Sequence, residues 1–500
     1  MTGHTVLPAE VPVLVVGAGP TGLMLAGELA LAGVQPLLID ALDRPTGQSR
    51  ALGFTVRTLE IFAQRGIVDR FRGMARQPAV HFAGLLIDGR HVSSPLRPAN
   101  TYPQSRTEAA LAGWAGDLGV VAARPWSFRS FHPTGEGYAC LVEGPGGAQE
   151  VTSRFIVGCD GARSRVRCCA GIGSETTGPS VQMVLADLRD SGLPDRPFGV
   201  KHRGGMVMSA PLGDGTDRVI VCDFSRPVVS GDEPVTDLEV RAAYRNVVGE
   251  PLGGTCLWAS SFTDASALAT EYRRGGVLLA GDSAHTHLPA GGQGMNVSIQ
   301  DVVNLGWKLA AVVQGRAPVE LLDTYESERR PVAQRLLRNT AAQGQLFLRG
   351  PEVDPLREVI AELISVPGVA SVLADSVSGV DVRYSLPGGE AQPLVGTRLP
   401  PGVLELEGAP RDGLEELRHG TAILFSLHHN SSLAEEAARW EPHLRQVRAR
   451  VRAAEHGLAA AEAVLVRPDG HIAWMGSQPH ELRQHLATWV GTPAATLGGS

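Results

Sequence analysis

Short, unbroken runs of apolar residues recur along much of the chain, and a glycine or an acid closely follows each one. The runs end at Val16, Ile39, Val157 and Leu279. Runs that are apolar at every position are typical of strands buried on both faces of a parallel sheet. A helix is favoured between the first two runs, so the pattern predicts a strand–helix–strand unit at the N-terminal end.

The pattern changes to alternation in the middle of the chain. In residues 205–210 and 218–222 the side chains would point alternately to the two faces of a strand, and both stretches are predicted to be antiparallel strands. We expect residues 176–270 to form a separate sheet that supplies much of a substrate pocket. Helices are predicted from about 296 to 309 and from about 321 to 348.

A stretch rich in glycine and proline, residues 379–402, is interpreted as a linker. Beyond it, the strand-like segments 421–425, 463–466 and 471–474 alternate with helical stretches, and we expect an independent fold from about residue 395. This part contains no cysteine. Thiol–disulfide chemistry is therefore excluded there, and packing or assembly is the expected role.

The first apolar run leads into a G-x-G-x-x-G turn formed by Gly17, Gly19 and Gly22, with Pro20 and Thr21 opening the next helix. The first glycine permits a tight turn, the second lets the backbone approach a pyrophosphate, and the third allows close strand–helix packing. The free N–H groups of the helix N-terminus would face the phosphates. Asp40, at the end of the second run, suits the hydroxyls of a ribose.

Two further motifs begin as buried strands and carry an acid where the strand ends, at the edge of the sheet that binds ligands in open α/β folds. The helix that follows the second of them could hold, at its N-terminus, a ring carbonyl that becomes anionic when a flavin is reduced. Asp282 would then bond a ribityl chain. The residues of the second motif of the chain are Asp160, Gly161, Ser164 and Arg167, and those of the third motif are Gly281, Asp282, Pro289, Gly292, Gly294, Met295 and Asn296.

The composition of the chain is that of a globular protein and argues against nucleic-acid and membrane proteins. A chain of 500 residues predicts two or three domains, and 43% hydrophobic with 19% charged residues is typical of a soluble globular protein. The net charge of −7 argues against a nucleic-acid partner. Pro12 and Glu28 interrupt the apolar stretch 11–39, which favours a βα unit over a membrane helix. No signal peptide is evident, so a cytoplasmic location is expected.

No metal site is predicted. The cysteines form no C-x-x-C spacing, and the pair His285 and His287 has no third ligand in motif spacing.

The order of the motifs resembles a known family. G-x-G-x-x-G, then D-G-x-x-S-x-x-R, then G-D-S-A-H-x-x-x-P-x-G-G-Q-G-x-N is similar to the single-component flavoprotein aromatic hydroxylases, and most of all to the bacterial polyketide hydroxylases of angucycline and anthracycline pathways. The resemblance spans nearly the whole chain and includes segments 49–53, 103–104, 272–275 and 325–331.

The resemblance implies an α/β fold with a Rossmann-like FAD-binding domain of the p-hydroxybenzoate hydroxylase type, an antiparallel substrate sheet and a thioredoxin-like C-terminal domain. We expect residues 1–175 and 271–390 to form the discontinuous FAD-binding domain, 176–270 the substrate sheet and 391–500 the C-terminal domain.

The implied chemistry is hydroxylation of a polycyclic aromatic polyketide in antibiotic biosynthesis through a flavin C4a-hydroperoxide. It requires non-covalent FAD, O2, and NADPH as reductant, with NADH left open. Two alternatives stay open: Baeyer–Villiger oxygenation of a quinone or ketone by the same site, and a non-catalytic FAD-binding scaffold. The sequence leaves a homo-oligomer open and predicts no nucleic-acid or membrane partner.

The resemblance assigns roles to further side chains. It places Arg50 on the FAD pyrophosphate and Gln104 near the flavin, and it credits Asp160, Ser164 and Arg167 with FAD and NADPH contacts. The carbonyl of Pro289 would border flavin and substrate. No general base is assigned, because the cofactor carries the chemistry.

The substrate pocket is predicted from the middle sheet. Met206, Met208 and the apolar run 219–221, which includes Val221, would form together with Pro289 a wall suited to a flat fused-ring ligand. The basic run 201–203 could instead clamp the carboxylate of a small benzoate, but such a run is more typical of a solvated loop.

Overall fold

The computed structural model describes residues 6–100, 102–213, 215–229, 234–408, 411–452 and 457–493. Its strands, in chain order, are β1 (Glu10–Val16), β2 (Leu37–Ile39), β3 (Gly53–Phe54), β4 (Ala75–Arg76), β5 (Ala79–Phe82), β6 (Leu85–Asp88), β7 (Ala99–Asn100), β8 (Ser127–Pro133), β9 (Tyr138–Gly144), β10 (Gly147–Gly158), β11 (Ser174–Thr177), β12 (Gln182–Arg189), β13 (Arg196–His202), β14 (Gly205–Gly213), β15 (Thr216–Asp223), β16 (Thr255–Thr263), β17 (Ser266–Ala269), β18 (Arg273–Arg274), β19 (Val277–Leu279), β20 (His285–Thr286), β21 (Leu404–Leu406), β22 (Ala422–Ser426), β23 (Leu444–Val451), β24 (Ala463–Val466) and β25 (Ile472–Gly476).

The α-helices include those predicted near residues 296–309 and 321–348, which are α6 and α7. In chain order the helices are α1 (Pro20–Leu31), α2 (Val56–Gln64), α3 (Gln104–Asp117), α4 (Arg165–Cys169), α5 (Asp237–Val248), α6 (Gly294–Val313), α7 (Asp323–Phe347), α8 (Asp354–Ile364), α9 (Pro367–Ser378), α10 (Ser431–Ala438) and α11 (Pro479–Trp489).

The central sheet has the strand order β18-β19-β10-β1-β2, and its strands β19, β10, β1 and β2 run parallel. Val16 lies beside Ile39 on one side and Gly158 on the other, and Gly158 lies beside Leu279. The four apolar runs therefore end at one edge of the sheet. The predicted sheet of buried parallel strands is confirmed.

The middle of the chain forms a second sheet with the order β13-β14-β15-β12-β16, all antiparallel. Helix α5 covers one face, where Val207, Val219 and Val221 are buried with it. The opposite face carries Met183 and Met206, which pack against Leu288, directly before Pro289, and against Leu348, directly after α7. The predicted antiparallel sheet is confirmed.

The C-terminal part contains a mixed sheet of order β21-β23-β22-β24-β25, in which β22 and β23 are parallel. Its apolar core is continuous with that of the first sheet.

The interpretation of residues 379–402 as a linker is wrong. Tyr384, Leu386, Val395 and Leu399 are buried there because the glycines and prolines are interspersed with apolar residues that reach the core.

Within the part of the chain that the structure describes, no single helix has both the length and the apolar composition to cross a membrane. Residues 351–364 and 367–378 would meet that test only when taken together, across a bend of 104°.

Candidate cofactor and substrate site

The register of the central sheet brings the three motifs together. The backbone N–H of Gly17 donates to the carbonyl of Ile39 at 2.8 Å, and that of Cys159 donates to Val16 at 2.8 Å. On the other side, Ala280 donates to Gly158 at 3.0 Å. The residues after these strands therefore line one edge of the sheet, where ligands of such folds bind.

The glycines of the first motif differ in what surrounds them. A Cβ on Gly17 would lie 2.4 Å from the carbonyl oxygen of Cys159, and its φ is +103°. A Cβ on Gly22 would lie 1.8 Å from the carbonyl oxygen of Gly17. A Cβ on Gly19 would have no described atom within 4 Å. Packing thus requires the first and last glycines, whereas the middle one opens onto free space before the N-terminus of α1.

The third motif touches the first at Gly281. This glycine has a φ of +64°, and a Cβ there would lie 2.7 Å from Oγ1 of Thr21 and 3.0 Å from Oγ of Ser298. Thr21 opens α1 and Ser298 belongs to α6. The N-termini of both helices consequently face the same region.

Asp282 and Arg50 are exposed side chains at this edge of the sheet. No described residue donates a hydrogen bond to the Asp282 carboxylate. The Asp282 side chain reaches solvent, but it is partly buried because other protein groups lie close around it. That burial raises its pKa, while His285 and Arg50 oppose the rise. Helix N-termini, an exposed cation and an exposed carboxylate fit the phosphates and hydroxyls of a dinucleotide such as FAD.

The Asp40 carboxylate makes more contacts within the protein than the sequence implied. Its carboxylate accepts hydrogen bonds from the N–H of Ala18 at 2.7 Å and of Leu42 at 2.9 Å, and pairs with Arg124 at 2.7 Å. The carboxylate therefore organises the first glycine turn. Sequence reasoning missed Arg124, since nothing in its local sequence separates it from other arginines.

The polar side chains of the second motif also form hydrogen bonds within the protein. Asp160 accepts from Oγ of Ser164 at 2.6 Å and from the N–H of Arg165 at 2.7 Å. Ser164 caps α4 by accepting from the N–H of Arg167 at 3.0 Å. The Arg167 guanidinium donates to the carbonyl of Ser283 at 2.7 Å. In this arrangement the second motif supports the third. Gly161 remains beside open space.

Two amides fix the segment that leads to α2. Gln104 accepts from the N–H of Ala51 at 3.2 Å. Asn296 accepts from the N–H of Thr55 at 2.9 Å and donates to the carbonyl of Gly292 at 2.8 Å. These contacts hold the loop that carries Arg50 against the third motif.

Arg218 is a second residue that sequence reasoning missed. It is 1% exposed, pairs with Asp187 at 2.7 Å, and donates to the carbonyl of Ser49. It thereby joins the middle sheet to the loop beside Arg50. A single arginine in an apolar strand was the available signal.

His287 is held as a neutral ring. Its Nδ1–H donates to the carbonyl of Leu288 at 2.6 Å, and burial lowers its pKa to about 4.

The face of the middle sheet opposite α5 forms an apolar and thioether-rich wall. Met206 and Met208 lie on it with Ile220, packed near Leu288 and Phe347. Further members of this wall are Val181, Met183, Cys222, Phe224, Phe262, Ala290 and Leu348. Pro289, between Leu288 and Ala290, is exposed.

The prediction of Val221 for the pocket wall is wrong. Val221 is 0% exposed and packs under α5 on the other face. Successive residues of a strand point to opposite faces, so its neighbour Ile220 lies on the face of Met206.

Lys201, the first residue of the basic run 201–203, is engaged within the protein. The Lys201 ammonium pairs with Asp354 and donates to the carbonyl of Gly350 at 3.2 Å. Among the described residues, no group of three or more His, Cys, Asp or Glu side chains is arranged to hold a metal ion.

Known proteins match this chain over almost all of its length. The FAD binding domain family matches residues 10–340, and the aromatic-ring hydroxylase C-terminal family matches residues 392–493. A solved aromatic hydroxylase from angucycline biosynthesis is 46% identical with a TM-score of 0.91, covering 97% of this chain and 100% of that one. The 12-dehydrotetracycline 5-monooxygenase/anhydrotetracycline 6-monooxygenase of Streptomyces rimosus is 40% identical over 96% of this chain and 99% of its own.

Another relative has a different name: the dialkyldecalin synthase of Streptomyces rugosporus is 35% identical over 97% of this chain and 99% of its own. The first family match extends over more than half of the chain, and the relatives align over almost all of it. The family and the fold predicted from the motifs are confirmed, and the chain belongs to the FAD-dependent aromatic-ring hydroxylases.

Proposed function

We propose that this protein hydroxylates a polycyclic aromatic polyketide, using FAD, NAD(P)H and O2. The observation that carries the proposal is the wall of methionine, aromatic and aliphatic side chains that faces the third motif. Polarizable, adaptable side chains suit a flat fused-ring ligand. Lys201, which could have bound the carboxylate of a small benzoate, is already paired with Asp354.

The geometry of the sheet edge supports the following assignment of FAD contacts. The N-terminus of α1, opened by Gly19, and the guanidinium of Arg50 would bind the pyrophosphate. Asp282 would bind ribityl hydroxyls, and the free N–H groups at the start of α6 would bind a ring carbonyl. Asp40 retains lone pairs for a ribose hydroxyl while it holds the turn. When bound, FAD supplies a hydride acceptor for NAD(P)H and the means to activate O2.

The chain itself would position and shield the reaction. The N-terminus of α6 would stabilise negative charge that develops beside it. The apolar wall would exclude water from the oxygen-transfer step, which limits wasteful release of hydrogen peroxide. We assign residues 1–175 and 271–390 to cofactor binding, 176–270 to the substrate wall, and 391–500 to a third domain.

A relative named for tetracycline-type substrates and a solved aromatic hydroxylase from angucycline biosynthesis support the substrate class. The test is incubation of the purified protein with NADPH, 18O2 and tetracyclic phenolic polyketides, with 4-hydroxybenzoate as the small-ring control. Expected is substrate-accelerated NADPH oxidation with one 18O atom in a new phenolic hydroxyl. An 18O atom in a ring ester or lactone would instead establish Baeyer–Villiger oxygenation. Coupled turnover of the benzoate would refute the polyketide assignment.

A second candidate is a redox-neutral cyclisation on the same cofactor-bound scaffold. The relative named a dialkyldecalin synthase favours it. The two candidates differ in their need for a reductant, since a cyclase converts its substrate without NADPH or O2. Product formation under argon with no NADPH would select the second candidate.

A further inference from the structure

A buried ionic cluster joins the C-terminal domain to α6 and α7. The Arg467 guanidinium binds both carboxylate oxygens of Glu328, each at 2.7 Å. Glu328 also accepts from Nζ of Lys308 at 2.9 Å and from Nδ2 of Asn304 at 2.5 Å. Asp469, beside Arg467 in the C-terminal domain, completes the cluster and also accepts from Asn304 at 3.3 Å.

The cluster is closed to solvent and balanced in charge. The Arg467 side chain is 0% exposed, and three rings surround its guanidinium: Trp307 at 5.3 Å, Tyr384 at 5.2 Å and Trp489 at 4.8 Å. Two cations face two carboxylates. Burial alone would raise the pKa of Glu328, but Arg467 and Lys308 hold it at about 2. Bidentate geometry of this kind fixes orientation as well as distance.

From this cluster a second set of contacts reaches the third motif. Arg329, next to Glu328 on α7, donates to Asp301 of α6 at 2.8 Å and to Oη of Tyr384 at 3.1 Å. Nε2 of His285 lies 2.7 Å from the other oxygen of Asp301. Each of these side chains is buried. His285 follows Asp282 in the same motif, so the contacts run from the C-terminal domain to the cofactor cleft.

We propose that Arg467 is a positioning residue for the cofactor: it fixes α6 and α7 so that the N-terminus of α6 and Asp282 meet the flavin end of FAD. The inference rests on the cofactor role proposed above for the third motif. It assigns to the C-terminal domain a function in the redox site, which it performs without redox chemistry of its own.

The test compares FAD affinity and the midpoint potential of bound FAD in wild type and Arg467→Met. The matched control is Arg483→Met, because Arg483 binds both oxygens of Glu436 at 2.9 and 2.5 Å but is half exposed and lies within the C-terminal domain. Far-UV circular dichroism identifies a temperature at which every variant is folded. Arg467→Met is expected to bind FAD roughly tenfold more weakly and to shift the flavin absorption bands and potential. Arg483→Met should do neither.

Two further variants decide the matter if Arg467→Met does not fold. Arg467→Lys keeps the charge but loses the bidentate contact, and Arg467→Met with Glu328→Gln keeps the cluster neutral. A folded variant of either kind with wild-type affinity and potential would overturn the proposal, as would an equal loss in Arg483→Met. Asp282→Asn tests the underlying site separately. If that variant retains full FAD affinity while the Arg467 variants lose it, the assignment of Asp282 to the ribityl chain fails, and Arg467 positions the cofactor through the N-terminus of α6 alone.

Discussion

The glycines of the first turn affect cofactor binding and stability separately. Gly19 has an extended φ of −77° and open space where a Cβ would lie. Gly19→Val should therefore leave the free energy of unfolding within about 1 kcal/mol of wild type but weaken FAD binding by about tenfold or more, equivalent to about 1.4 kcal/mol, since the side chain fills the space for the pyrophosphate.

Gly22→Ala provides the contrast. Its Cβ would meet the carbonyl oxygen of Gly17 at 1.8 Å, so the helix must shift. An overpacked site of this kind costs about 1–3 kcal/mol of stability. Thermal unfolding of the apoproteins and fluorescence titration with FAD would measure both effects. A Gly19→Val protein with normal FAD affinity would contradict the placement of the pyrophosphate.

A buried histidine predicts sensitivity to acid at the residue scale. Nδ1 of His81 accepts a hydrogen bond from the N–H of Gly84 at 3.1 Å, and burial lowers its pKa to about 4. The unfolded chain binds this proton near pH 6.5, so between pH 6.5 and 4 it holds more protons than the folded chain. Stability must then decrease as the pH falls through this window, by about 1–3 kcal/mol after allowance for partial exposure of the ring.

The variant His81→Gln removes this titration and should flatten the decline of Tm between pH 6.5 and 4.5. The exposed His132, on β8, supplies the control through His132→Gln. An unchanged slope in His81→Gln would show that other groups cause the acid sensitivity.

At the scale of elements, the two faces of the sheet that contains β15 have different roles: one contributes to stability and the other to substrate binding. Val221 packs under α5, whereas Met208, on the neighbouring strand β14, lies on the opposite face with Ile220. Val221→Ala should lower the free energy of unfolding by about 1–3 kcal/mol and leave substrate affinity unchanged. Met208→Ala should weaken substrate binding with a smaller loss of stability, because the side chain is only half-buried. Calorimetric unfolding and substrate titration of the FAD-loaded protein would check both, and a larger affinity loss in Val221→Ala would contradict the wall.

The same element shows what the sequence could and could not predict. Apolar runs and the ordered motifs predicted the parallel strands, α6, α7 and the family, because these patterns depend on local burial and on fixed motif spacing. The face of β15 could not be read, since residues 219–222 are apolar on both sides. Likewise, Asp40 pairs with Arg124, which lies 84 residues away in the chain. Tertiary contacts of that range leave no local pattern.

At the scale of the molecule, the C-terminal domain is part of the common core rather than an independent attachment. Arg65 of α2 donates to the carbonyls of Leu417 at 3.3 Å and Pro468 at 2.9 Å, and Arg57 donates to that of Asp469 at 2.7 Å. These guanidiniums are buried, and α6 presents Trp307 to the same boundary. Water must replace each of these contacts when the domain is removed.

A chain that ends at residue 390 should therefore fail to fold as a soluble, FAD-retaining protein. Truncation exposes to water the apolar surface that α2 and α6 bury against the domain, at about 1.5–3 kcal/mol for each large side chain. It also exchanges the carbonyl contacts of Arg57 and Arg65 for contacts with water. Against a typical total stability of about 5–15 kcal/mol, several such losses are enough to unfold the remainder. Size-exclusion chromatography, far-UV circular dichroism and flavin content of the truncated chain would be compared with those of the full chain. A monomeric truncated protein with native helicity and full flavin content would contradict the shared core and restore the independent domain expected from the sequence.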